Sequence, residues 1–134
     1  MPLSESNPSL SYSAKLFKAL GDESRLRILH LILVTEEMCI SDLEIILDYS
    51  QTKTSRHLAY LRNFGVVEFK KIDQWVYYHI SPEYLSLIQN FFLWIGKESI
   101  LYKDLLEYRT LYTNNELAVR KLHISRKEFK LPEL

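Results

Sequence analysis

The chain has 134 residues, of which 47% are hydrophobic and 25% charged, as in one globular domain rather than a disordered segment. Its 17 basic and 17 acidic residues cancel to zero formal net charge, and its one cysteine excludes an intrachain disulfide. The chain has no apolar run of the roughly 18 residues that a membrane span needs, and its polar N-terminus does not resemble a secretory signal, so a cytoplasmic protein without a membrane partner is expected.

Two helices are the first predicted elements. Residues 1–10 are expected to form a flexible N-terminal arm, followed by a helix over about 11–20. Gly21 is suited to close that helix in a left-handed conformation. Asp22 is a plausible N-cap for a second helix over 23–34, whose leucines and isoleucines form a wide apolar stripe.

Two shorter helices are predicted next, close together in the chain. Ser41 and Glu44 have the spacing of a capping box, which predicts a helix over 42–48. Ser50 is expected to cap a helix over 51–63, and Gly65 to terminate it. The gap of two or three residues between the helices is typical of a helix-turn-helix.

A positively charged β-hairpin is predicted after the helix-turn-helix. Residues rich in β-branched and aromatic side chains lie on both sides of the polar pair Asp73-Gln74. Residues 50–80 contain five basic and two acidic residues, whereas residues 1–49 contain four basic and eight acidic ones. Because local fields steer proteins to phosphate, this segment is the candidate for a nucleic-acid contact.

The C-terminal part is predicted to be helical. Ser81 and Pro82 start a helix whose apolar residues cover more than one face, which indicates more than one partner surface. Gly96 is expected to end or bend it. A helical pattern then continues to Tyr112 and is followed by a basic tail after Asn115.

The helix over 51–63 carries the candidate DNA-reading residues. On a helical wheel, Thr54, Leu58 and Leu61 form the buried stripe. Glutamine and arginine can each hold a base edge with two hydrogen bonds, and serine, threonine and lysine suit phosphates. The expected contacts from this helix are Gln51, Thr52, Lys53, Ser55 and Arg56.

Several of these residues have a second interpretation. A single polar helix face is more often only solvated, but here three helices, a helix-turn-helix and a basic hairpin follow in the order of a winged helix. His57 lies beside the apolar stripe, so both a partly buried structural role and a DNA contact are open. In the hairpin, Lys70, Lys71 and Gln74 either contact DNA or only keep the surface soluble.

Three stretches carry a family resemblance: LFKALGDESRLRILHLI, SDLEIIL and SQTKTSRHLAYLRNFGVVEFKKIDQWVYYHI. Over roughly residues 14–80 they resemble the ArsR/SmtB family of bacterial transcriptional repressors. The resemblance implies a mostly α fold with a small β-hairpin, a winged helix-turn-helix. It also implies a homodimer that binds operator DNA, with the N- and C-terminal helices at its interface.

The resemblance also assigns residues and boundaries. Gln51, Thr52, Ser55 and Arg56 fall on the family's base-reading helix, while Lys53 follows from the wheel alone. Lys70, Lys71 and Gln74 match the wing. The expected organisation is an arm over 1–10, a DNA-binding and dimerisation domain over 11–100, and a helical extension with a basic tail over 101–134.

The family's metal sites are not expected here. Arsenic- and cadmium-sensing members carry a Cys-x-Cys pair at the start of the third helix, where this chain has Cys39-Ile40-Ser41. Tight binding of soft metals usually needs two or more thiolates. Zinc- and nickel-type members carry aspartate and histidine ligands on the last helix of the dimer, and residues 82–112 contain no histidine. No cofactor or metal is therefore predicted, and an unknown effector stays open.

The predicted function is a sequence-specific DNA-binding transcriptional regulator, a homodimeric repressor of an inverted-repeat operator on double-stranded DNA. One alternative is a winged-helix protein-interaction module that has lost DNA binding. Another is a metal- or redox-sensing repressor that uses Cys39. An enzyme is not expected, because the chain has no glycine-rich phosphate loop, paired catalytic carboxylates or Ser-His-Asp spacing.

Overall fold

The computed structural model describes residues 7–134, so most of the predicted N-terminal arm lies outside the described residues. The helices are α1 Leu10–Leu20, α2 Glu23–Thr35, α3 Ile40–Leu47, α4 Gln51–Asn63, α5 Pro82–Ile95, α6 Ser99–Thr113 and α7 Val119–Ser125. The strands are β1 Met38–Cys39, β2 Val67–Ile72 and β3 Trp75–Ile80. No helix within residues 7–134 is long and apolar enough to cross a bilayer.

Local capping explains where α1 and α2 begin. The Ser9 side chain accepts a hydrogen bond from the amide of Tyr12, a cap that was not predicted. The predicted cap Asp22 accepts a hydrogen bond from the amide of Arg25. Gly21 closes α1 as predicted, but the predicted left-handed conformation is wrong, because its φ is −82°. A side chain at Gly21 would instead place its Cβ 3.1 Å from the carbonyl oxygen of Phe17, so a close backbone approach favours glycine here.

The helix-turn-helix consists of α3 and α4, and the predicted bounds of α4 are confirmed. The prediction of a capping box at the start of α3 is wrong. The helix begins at Ile40, directly after β1, and therefore encloses Ser41 in its first turn. The next residue, Asp42, is buried and accepts hydrogen bonds from the amides of Ala118 and Val119 at the start of α7.

The hairpin is confirmed, and it belongs to a three-stranded antiparallel sheet in the order β1-β3-β2. Val67 pairs with Ile80 at one end of the hairpin, and Ile72 pairs with Trp75 next to the turn. Asp73 takes a φ of 56° in the turn. The edge strand β1 was not predicted, because two residues are too short to show an alternating pattern.

The core lies around α2, whose Ile28, Leu29, Leu31 and Ile32 are fully buried. Helices α4, α5 and α6 and strand β3 all pack against this helix. On α6, Asp104 accepts two hydrogen bonds from Arg27 of α2, at 2.8 and 2.9 Å. The C-terminal extension therefore contacts the helical core directly, and the predicted division after residue 100 stays a prediction.

Candidate nucleic-acid interface

The first turns of α4 are built so that one side is buried and the other is open. Ser50 caps the helix by accepting a hydrogen bond from the amide of Lys53 at 3.1 Å. Thr54 is buried and donates its hydroxyl to the carbonyl of Ser50 at 2.8 Å. Together with Leu58 and Leu61, Thr54 fixes the rotation of the helix, as the wheel predicts.

That rotation brings the predicted base-reading side chains to the surface. Gln51, Thr52 and Arg56 are exposed, and Lys53 and Ser55 are partly exposed. All five lie in the N-terminal half of α4. The free amides and the partial positive charge of a helix N-terminus favour phosphate nearby. This arrangement can therefore bind a phosphate backbone while it presents hydrogen-bonding side chains to base edges.

The turn before α4 adds aromatic and cationic contacts that the sequence did not suggest. Asp48 takes a left-handed conformation with a φ of 55° after α3, which lets the chain turn within three residues. Next to it, the ring of Tyr49 lies 3.9 Å from Nζ of Lys53 and also accepts a hydrogen bond from Arg27 through its hydroxyl. Tyr49 therefore positions the ammonium group of Lys53 at the start of α4.

His57 differs from the other predicted site residues of α4, because its side chain is buried on the inner face. Its Nδ1 lies 3.3 Å from Nη1 of Arg25, whose Nε donates to the carbonyl of Ala19. Burial lowers the pKa of His57, and the Asp22 carboxylate opposes this effect. Of the two roles left open for His57, the structural one fits this position.

The three predicted wing residues are exposed on the hairpin. Lys70 and Lys71 lie on β2, and Gln74 lies in the turn. Lys70 makes a 2.6 Å ion pair with Glu37, which precedes β1. A second cation, Arg62 near the end of α4, lies over the ring of Phe69 on β2 at 5.2 Å and links the helix to the hairpin.

Sequence reasoning overlooked Glu37, Arg25 and Tyr49, which hold predicted contact residues in place. Glu37 and Arg25 are far along the chain from the residues that they position, and Tyr49 lies in a connecting turn. No periodic pattern in the sequence therefore marks these three residues.

The environment of Cys39 is that of a packed core residue. The thiol is buried between β3 and α3, and burial raises its pKa to about 12, with Asp42 adding to the effect. A thiol in this state is a poor nucleophile and metal ligand. Across the described residues 7–134, no three His, Cys, Asp or Glu side chains form a group that could hold a metal ion.

Comparison with known proteins relates this geometry to gene regulation. The family profile described as "Bacterial regulatory protein, arsR family" matches residues 22–68. The chain is 48% identical over 68 residues to the arsenical resistance operon repressor of Escherichia coli K12, a match that covers 51% of this chain and 58% of that protein. It therefore covers less than two thirds of that relative.

Two further matches are longer. The chain is 35% identical over 81 residues to a homologue of the cadmium resistance regulatory protein CadC of Staphylococcus aureus, covering 60% of this chain and 67% of that protein. The solved structure of reduced HlyU from Vibrio cholerae has a TM-score of 0.55 and 36% identity, and the match covers 60% of this chain and 84% of that one.

Proposed function

Because this chain belongs to the arsR family of bacterial regulatory proteins, we propose that it is a sequence-specific DNA-binding transcriptional regulator, a repressor that acts as a homodimer. The observation that carries the proposal is the rotation of α4. Burial of Thr54, Leu58 and Leu61 on one side leaves Gln51, Thr52 and Arg56 exposed on the other.

The proposed contacts divide into two kinds. Gln51 and Arg56 read bases, because their planar end groups match adenine and guanine edges in the major groove. Thr52, Lys53 and Ser55, together with Lys70, Lys71 and Gln74 of the wing, bind phosphate or the minor groove and fix the register. His57 orients α4 from inside through its contact with Arg25.

The proposed dimer uses an apolar face formed by α1 and α5. Phe17 on α1 is 64% exposed, and Leu93 and Trp94 on α5 are 77% and 82% exposed. Together with Leu20 and Leu87, Phe17 and Trp94 line an open apolar groove of about 470 Å³. Side chains this large are usually covered by a partner when they cluster on one face. A second copy of the chain would bury them.

Dimerisation gives the two α4 helices a defined spacing on DNA. A two-fold dimer that places its reading helices about 34–36 Å apart contacts successive major grooves on one side of the duplex and reads an inverted repeat. A repressor of this kind works in the cytoplasm, where the DNA is. We propose no cofactor.

Selection of bound duplexes from a random DNA pool tests the proposed function, followed by footprinting on the enriched sequence. We expect an enriched inverted repeat and protection limited to it. Binding should weaken steeply with added salt, since phosphate contacts release counterions. Equal protection of all sequences would refute sequence-specific regulation, and no binding to any duplex at low salt would favour the protein-interaction module.

A further inference from the structure

Three charged side chains from distant parts of the chain meet beside the wing. Nζ of Lys70 on β2 lies 2.6 Å from Oε1 of Glu37, which lies between α2 and β1. Arg126, which follows α7, places Nη1 3.6 Å from Oε2 of the same carboxylate. One cation from the wing and one from the C-terminal extension therefore share a single carboxylate.

This carboxylate needs a cation, because the Glu37 side chain is only 10% exposed. Removing the partner of a buried charge is strongly destabilising. Lys70 is the cation that now forms the short contact. The Lys70 side chain is 48% exposed, so its ammonium can swing outward while its stem stays on β2.

Arg126 is placed as a second partner for Glu37. Oε2 of Glu37 and Nε and Nη2 of Arg126 are all buried, and none has a hydrogen-bond partner among the described residues. Nη1 of Arg126 lies 3.6 Å from Oε2 of Glu37, which is longer than a hydrogen bond, and Nη2 lies 3.9 Å from Oε2 of Glu36. A small rotation of either side chain would produce the two-pronged pair that arginine forms with carboxylates.

We propose that Glu37 pairs with Lys70 while the protein is free of DNA. When Lys70 moves to a DNA phosphate, Glu37 pairs with Arg126 instead. The C-terminal extension then sets the affinity of the wing for DNA, because Arg126 neutralises the carboxylate that Lys70 leaves. Glu37 and Arg126 act as positioning residues and do not touch DNA. This inference rests on the proposed function and deepens it.

Variants at the three positions test the exchange by fluorescence anisotropy on the selected duplex. Glu37→Gln frees Lys70 and should tighten binding by roughly twofold to tenfold, the range for one partly exposed charge pair. Arg126→Gln should weaken binding by a similar factor. In a Lys70→Gln background, Glu37→Gln should no longer tighten binding.

Arg120→Gln is the matched control. Arg120 lies in the same extension but donates to the carbonyls of Tyr112 and Thr113, so its loss should leave DNA affinity unchanged. Thermal unfolding of each variant separates a change of stability from a change of affinity.

Two results would overturn the exchange. One is unchanged affinity in either Glu37→Gln or Arg126→Gln. The other is a gain from Glu37→Gln that is the same with and without Lys70. If Arg126→Gln does not fold, Arg126→Lys takes its place; it keeps the charge but loses the two-pronged geometry, so a smaller weakening of binding is expected. A wild-type protein that does not prefer the selected duplex would overturn the proposed function as well as this inference.

Discussion

Asp42 ties the helix-turn-helix to the C-terminal extension through a single carboxylate. It is 1% exposed, and its two oxygens accept from the amides of Ala118 and Val119 at 2.9 and 2.8 Å. Asp42→Asn replaces one acceptor with a donor that faces an amide. We expect a loss of about 1–3 kcal/mol in the free energy of unfolding, measured with urea at pH 7.

Asp48→Asn serves as the control for Asp42→Asn. Asp48 is exposed and left-handed, a conformation that asparagine also tolerates, so the change should cost under about 0.5 kcal/mol. Equal unfolding midpoints for the wild type and Asp42→Asn would show that the two amide contacts do not stabilise the fold.

His123 should make the protein less stable in acid. The ring is 2% exposed, and burial, with a smaller effect of Arg126, lowers its pKa to about 4. Between the ordinary histidine pKa near 6.5 and about 4, the unfolded chain binds a proton that the folded chain does not. Stability should therefore fall as pH decreases through this window, by up to about 3 kcal/mol.

Urea unfolding at several pH values between 7 and 4 measures this loss, with His123→Phe as the comparison. The variant keeps an aromatic ring against Phe129, whose ring is stacked on His123. It removes the titrating group, so its stability should depend less on pH. The raised pKa of buried Asp42 acts in the opposite direction in both proteins. Identical pH profiles for the two proteins would contradict the assignment to His123.

At the level of elements, periodicity and turn residues predicted α4 and the hairpin well. Both depend on local signals: the cap at Ser50, the left-handed Gly65 with its φ of 85°, and the polar turn at Asp73. The predicted start of α3 was wrong because β1 pairs with β3. This contact between residues far apart in the chain holds Met38 and Cys39 in a strand. Helix α7 was missed for a similar reason, since Asp42 supplies its cap from another part of the chain.

Ser50→Ala tests the link between the cap of α4 and DNA binding. Its hydroxyl oxygen accepts from the amide of Lys53, so the change should cost about 0.5–2 kcal/mol in the free energy of unfolding. The first turn, which carries Gln51 and Thr52, should fray, and affinity for the selected duplex should drop. Ser50→Asp keeps a capping side chain, so its free energy of unfolding should match that of the wild type. Unchanged stability and DNA affinity in Ser50→Ala would show that the cap does not order this turn.

At the level of the whole molecule, the family resemblance implied a dimer interface at the N- and C-terminal helices, but the residues alone did not show which side chains form it. The excess of apolar residues over 82–95 indicated a partner surface, but the groove with α1 becomes visible only when Phe17 and Trp94 are seen on the same face. The roles of Glu37 and Arg126 likewise depend on the fold, which brings them together from positions far apart in the chain.

Trp94→Glu should convert the proposed dimer to a monomer, because it places a charge in the centre of the apolar face. Analytical ultracentrifugation measures the mass, and DNA affinity should fall with it, since each monomer reads only one half-site. Ile124→Glu is the control, because Ile124 is 68% exposed on α7 and lies outside this face. A wild-type protein that sediments as a monomer would refute the dimer.

The most direct test is the affinity of Arg56→Ala for the selected duplex and for a scrambled duplex of equal length, at one salt concentration. Arg56 is exposed on the open side of α4, so its removal should leave the fold intact. We predict that binding to the selected duplex weakens by about 1–3 kcal/mol, while binding to the scrambled duplex changes much less. Equal losses on both duplexes, or no loss on either, would contradict base reading by the outer face of α4.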